Sequence, residues 1–276
     1  MVRTPDTDIL MILLHHAKMI NLTVYLDHGS GVHRKLINVS ELAESLGPDY
    51  CSTLLGYYVF SGEDCTSAFK GKGKVIPLKK LQKNTKYHEA FGKLGTSWLV
   101  PDELQQEIEA FTCLMYGYAK MRSVDAVRAK MLRKMVGEDK VLSLDSEVDL
   151  ERLPPPKVSL IPHVQRCNYR VACYKRADQP ILEKPNPYDE GMGWKKTHDN
   201  TVLEPFWSIG PILPPSLIEI LVQREETEKA LRNIESESVM KEDRYYEHDD
   251  DEEMEIQEID FEDIVSEDED DTHWEN

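Results

Sequence analysis

Apolar positions along the chain change period several times, and each change predicts an element. Met1 to Arg3 reads as the end of a strand, and Ile9-Leu10-Met11-Ile12-Leu13-Leu14 lies in a helix from about Thr7 to Met19. Leu22-Thr23-Val24-Tyr25-Leu26 has strand content, Asp27-His28-Gly29-Ser30-Gly31 is turn chemistry, and Arg34 to Val39 pairs back as a second strand. A short helix opens at Ser40, and another runs from about Tyr50 to Ser61. Helical spacing then recurs over Val75 to Gln82, Tyr87 to Leu94, Pro101 to Tyr116 and Ser123 to Val136, so the second half of the body reads as largely α. Leu153-Pro154-Pro155-Pro156 is a stiff connector ahead of one more helix, Val158 to Ala177. Residues 178 to 214, rich in Pro, Gly and Trp, predict an irregular wrap anchored by Trp194 and Trp207. Pro214-Pro215 begins a helix from about Ser216 into Glu235.

Charge redraws the end of this map. The 276 residues carry a net −18, but residues 235 to 276 hold 21 acids and two bases, leaving 30 acids against 31 bases in the rest. The body is neutral, and the segment 236–276 reads as a disordered acidic tail whose apolar residues Ile256, Ile259, Phe261 and Ile264 are too few to build a core. Such a tail solvates; it also permits a contact with a basic protein partner or with the chain's own lysines. Five cysteines, at 51, 65, 113, 167 and 173, show neither C-x-x-C spacing nor an even disulfide framework and suit a reducing compartment. The first fourteen residues carry two aspartates and an apolar run far shorter than the ~20 residues of a membrane span, so no signal peptide or membrane partner is expected.

Candidate chemistry concentrates in two places. Ser61-Gly62-Glu63-Asp64 leads into Lys70-Gly71-Lys72-Gly73-Lys74, a Gly-x-Gly turn studded with lysines. Glycines let backbone N–H groups approach a phosphate oxygen, and the lysines supply charge. Lys79, Lys80 and Lys83 extend the patch, which otherwise reads as a solvated helix face. The second place is Asp6-Thr7-Asp8. One of these acids suits a helix N-cap, whereas two bring like-charge repulsion that a cation relieves, and a hard divalent ion takes carboxylate oxygens. His15, His16, His28 and His33 stand at no metal-ligand spacing; Tyr57, Tyr58, Phe60 and Phe69 suit a core or base stacking, and Arg166, Arg170, Lys175 and Arg176 a snorkelling surface or a phosphate contact.

Asp6-Thr7-Asp8, Leu54-Leu55-Gly56 with Gly62-Glu63-Asp64, and Gly71-Lys72-Gly73-Lys74 together resemble the flap endonuclease (XPG-type) 5′ nucleases of the PIN-like superfamily, over roughly residues 1 to 95. Pro5-Asp6-Thr7-Asp8 and Thr66-Ser67-Ala68-Phe69-Lys70-Gly71-Lys72-Gly73-Lys74 are more closely similar to nuclease-like proteins linked with mobile elements, to about Leu221. The resemblance implies an α/β fold with a partial PIN-like three-layer domain at 1–95; the residue pattern adds a helical extension at 96–150, a connector, helix and Trp-containing wrap at 151–235, then the tail. It implies metal ligation by Asp6, Asp8 and Asp64, with magnesium of the two-ion type if the site is complete. It also implies DNA contacts from Lys70, Gly71, Lys72, Gly73, Lys74 and Lys79 to branched or flap-like DNA; with no signal peptide evident, the expected location is intracellular, nuclear rather than cytoplasmic. In that family further acids precede the Asp-x-Asp pair, whereas this sequence begins five residues before Asp6, and Glu63 replaces the small or neutral residue before the third acid. The expectation is therefore the C-terminal portion of a nuclease fold with an incomplete centre, either a weakened Mg-dependent structure-specific endonuclease or a catalytically inactive DNA-binding or protein-interaction module.

Overall fold

The computed structural model describes residues 1–29, 31–136, 150–199 and 201–210 of one compact unit, Met1–Pro214, and residues 227, 229, 230 and 232, all helical, of a second, Pro215–Asn276. The first unit is mixed α/β. Strands β1 (Val2–Thr4), β2 (Tyr25–His28) and β3 (Lys35–Asn38) form a sheet in that order, β1 parallel and β3 antiparallel to β2. Two parallel strands require a crossover, and α1 (Thr7–His16) supplies it.

Local chemistry sets the next elements. Asn38 caps α2 (Val39–Leu46) by accepting from the Glu41 N–H at 3.2 Å, while its own amide donates to the Glu41 carboxylate at 3.1 Å. Pro48 opens α3 (Pro48–Phe60) at a position that needs no N–H. Leu14, Leu26, Val39, Ala43 and Cys51 join sheet, α1, α2 and α3 in a small core.

Of the helices α4 (Val75–Lys83), α5 (His88–Lys93), α6 (Asp102–Met115), α7 (Val124–Val136) and α8 (Lys157–Lys175), α5 and α8 pack directly on α3, and α6 joins α4, α5, α7 and α8. Phe60, Phe91 and Phe111 meet edge-on or tilted at the centre of the larger core, which runs in sequence from Leu55 to Tyr174. Positions 95 and 150, where the sequence suggested divisions, both lie inside this unit. Strands β4 (Trp194–Lys196) and β5 (Leu203–Pro205) pair antiparallel in a hairpin over α8.

Three local expectations are corrected. The strand expected over Leu22 to Leu26 begins at Tyr25 and takes in Asp27 and His28, read as turn, because Arg34 and Arg3 hold the buried Asp27 carboxylate at 2.5 and 3.5 Å. Gly71 to Lys74, a hairpin in the family it resembles, is a turn that leads into α4, with the Lys72 N–H donating to the Phe69 carbonyl at 3.0 Å. Of the wrap's expected anchors, Trp194 is half-buried and Trp207 is exposed; Met192 and the Gly193 backbone hold the segment instead. The helix expected over 216–235 lies almost wholly outside the described residues, and the tail from 236 wholly so.

Candidate functional site

The Asp6-Thr7-Asp8 pair divides its labour. Asp6 is exposed and caps α1, its carboxylate accepting from the Asp8 N–H at 2.8 Å. One step into the helix, Asp8 turns inward and is 8% exposed. Tyr58 of α3 donates its hydroxyl to one Asp8 oxygen at 2.7 Å, and Tyr174 of α8 donates to the other at 2.5 Å. The α3 C-terminus then delivers a second acid to the same place. Gly62 turns the chain at φ 109, where an added Cβ would meet Ala68 Cα at 2.8 Å. Thr66 Oγ1 pins the loop by accepting from the Glu63 N–H at 3.0 Å and donating to the Val59 carbonyl at 2.7 Å. Glu63 thereby buries its side chain fully, and Arg170 grips both its oxygens at 3.2 Å while standing 4.0 Å from Asp8. Arg170 and Tyr174 reach the centre together because they stand i and i+4 on α8.

Lys74 completes the cluster. Its ammonium donates to the Gly62 carbonyl and, at 3.3 Å, to the Tyr58 carbonyl, and sits 4.2 Å from the centroid of the Tyr58 ring. Burial pushes the Lys74 amine down, opposed by Asp8 and Glu63. Burial also works against the Arg170 charge, but the hydrogen bonds and charge of Glu63 outweigh it and hold the guanidinium more firmly protonated than usual. Both phenols are pushed up, by burial first and then by their bonds to Asp8. Two carboxylates and two cations thus balance within a shell of donors, and each acid oxygen has a protein partner.

This arrangement does not fit the three-aspartate ligand set. Asp6 is occupied as a cap, Asp64 lies exposed on the turn after Glu63, and Asp8 is held by two phenols. Among the described residues, no group of three or more His, Cys, Asp or Glu side chains could hold a metal ion. The sequence pattern singles out Asp8 but does not assign its companions Glu63, Tyr58, Tyr174 and Arg170 to the site. Their signals were the acid beside Asp64, the tyrosine on a core helix and the i, i+4 pair on α8.

The lysine turn divides as well. Lys70 is exposed and pairs with Glu151, Lys72 lies 4.6 Å from the centroid of the Tyr116 ring, and Lys74 points into the acid cluster. Lys80 donates to the Leu114 and Met115 carbonyls at 3.0 and 3.1 Å, where the α6 C-terminus needs donors. Lys79 and Lys83 stay exposed on α4, beside exposed Val75 and Ile76. A Cβ at Gly71 or Gly73 would meet nothing within 4 Å, so the backbone there is open to a ligand. No helix among the described residues is long and apolar enough to cross a membrane. Compared with protein-family models, curated proteins and solved structures, the chain matches none.

Proposed function

We propose that the chain is a nuclease-derived, catalytically inactive nucleic-acid-binding module. Its ancestral fold would be PIN-like and three-layered, and its ancestral activity that of a Mg-dependent 5′ nuclease. One observation carries the reading: Arg170 lies between Glu63 and Asp8, where a metal centre would need open carboxylate oxygens. A guanidinium fixed there neutralises the acids without an exchangeable ion and offers no activated water, while the fold around it stays intact. Binding is retained on the outer face, where Gly71 and Gly73 offer open backbone and Lys79 and Lys83 offer charge toward a phosphate chain.

Fluorescence anisotropy on flap, nicked and linear duplexes over a salt series, beside cleavage assays with Mg²⁺, tests this. Salt-dependent binding without cleavage is expected, with a preference for the branched forms. Mg²⁺-dependent cleavage that disappears in Asp64→Ala or Asp8→Asn would establish the nuclease reading in its place.

A further inference from the structure

A second feature lies apart from the acid cluster, between α8, the 67–70 loop and the hairpin's end. Arg166 of α8 is 2% exposed and makes no ion pair among the described residues. Its Nη1 donates to the Gly193 carbonyl at 3.2 Å and the Phe206 carbonyl at 2.7 Å, which ties the hairpin to α8. Gly193 makes this approach possible: with φ 80, an added Cβ would lie 2.8 Å from Arg166 Cγ. The clamp uses one nitrogen only. Nε and Nη2 make no hydrogen bond to a described residue, and Arg166 lines a cavity of about 340 Å³. A buried cation without a counter-charge is costly, so a site of this kind is built for an anion.

The other walls narrow the chemistry. His163 also lines the cavity; its Nε2 faces the Phe60 carbonyl at 3.0 Å and must donate, which leaves Nδ1 as an acceptor, buried and without a partner. At the rim stands Trp207, 59% exposed, its ring centroid 5.4 Å from the Arg166 guanidinium carbon, with Phe69 behind. Lys70 and Glu151 pair across the mouth. An anion receptor, a hydrogen-bond acceptor and an exposed aromatic plane in a cavity of this size suit one small ligand that carries a phosphate, a donor group and a flat ring. We propose that the cavity binds a 5′-nucleotide, its phosphate on Nε and Nη2 of Arg166, its base against Trp207 and a ligand hydroxyl or amine on His163. As a site for free nucleotide this does not rest on the lysine-turn reading.

Titration of the full chain with AMP, followed by tryptophan fluorescence and calorimetry, tests the proposal, with inorganic phosphate and 5′-phosphorylated and 5′-hydroxyl oligoadenylate as further probes. Saturable AMP binding is expected, weakened about tenfold by Trp207→Ala, an exposed site whose loss leaves the clamp intact. Arg166→Lys should weaken it comparably, and phosphate alone should bind less well than AMP. A phosphorylated strand that binds more tightly than both AMP and its 5′-hydroxyl counterpart assigns the ligand to a strand end; equal binding of strand and AMP assigns it to free nucleotide. No AMP binding at millimolar concentration, equal binding by Trp207→Ala, or phosphate binding as tightly as AMP overturns the proposal. AMP binding that survives in Lys79→Glu while duplex binding is lost separates this site from the outer face.

Discussion

Arg170 makes bonds that a single substitution unbalances. Arg170→Met leaves Glu63 and Asp8 charged in a buried setting, and removing one partner of such a pair costs about 3–5 kcal/mol. Adding Glu63→Gln removes the stranded charge. The double variant is therefore expected to unfold in urea at a higher midpoint than Arg170→Met alone, and a midpoint no higher would show that the guanidinium holds the helix in another way. Burial drives the His163 ring down to about 4. In the unfolded chain a histidine titrates near 6.5. Above that pH both states are neutral and this group adds no pH dependence. As pH falls from about 6.5 to about 4 the unfolded state alone takes the proton, so stability drops by roughly 3 kcal/mol and then levels. NMR titration should find the ring untitrated at pH 5; a midpoint near 6.5 would contradict its burial. The acids illustrate what residue-level reading misses. Glu63 and Asp64 are neighbours, and spacing cannot say which one faces inward; the positive φ at Gly62 and the Thr66 bonds decide it.

Helix α3 ties the unit together because it contacts α1, α5 and α8. Its approach to α5 depends on Gly56, where a Cβ would sit 2.2 Å from the Phe91 carbonyl oxygen. Backbone cannot retreat as a side chain can, so Gly56→Ala is expected to lower stability by about 2 kcal/mol, measured by chemical denaturation. A neutral result would mean that the two helices slide apart freely. The helices were legible because apolar period and end signals agreed: Thr7, Val75, Asp102 and Val124 each begin within a residue of where the pattern placed them. The second strand slipped because an Asp inside it looked like turn chemistry until Arg34 neutralised it. A long-range ion pair has no local pattern. The acid cluster was illegible for the same reason, since Tyr58 and Tyr174 stand 50 and 166 residues from Asp8.

Across the whole molecule, charge is distributed so unevenly that net charge misleads. The near-neutral body presents Lys79 and Lys83 outward, whereas the last 42 residues carry all of the excess acid. Lys79→Glu with Lys83→Glu is expected to weaken duplex binding at least tenfold and to flatten its dependence on salt, by the loss of about two phosphate contacts. Deleting residues 236–276 should strengthen binding at low salt if the tail screens the lysines; unchanged affinity would exclude that role. The bond from Lys74 to the Gly62 carbonyl also has an experimental use. It closes the neck of the 62–74 loop and hides one amine among several that are open. A mild acylating reagent should therefore modify Lys79 and Lys83 long before Lys74, and the later reaction at Lys74 would clock how often the neck opens.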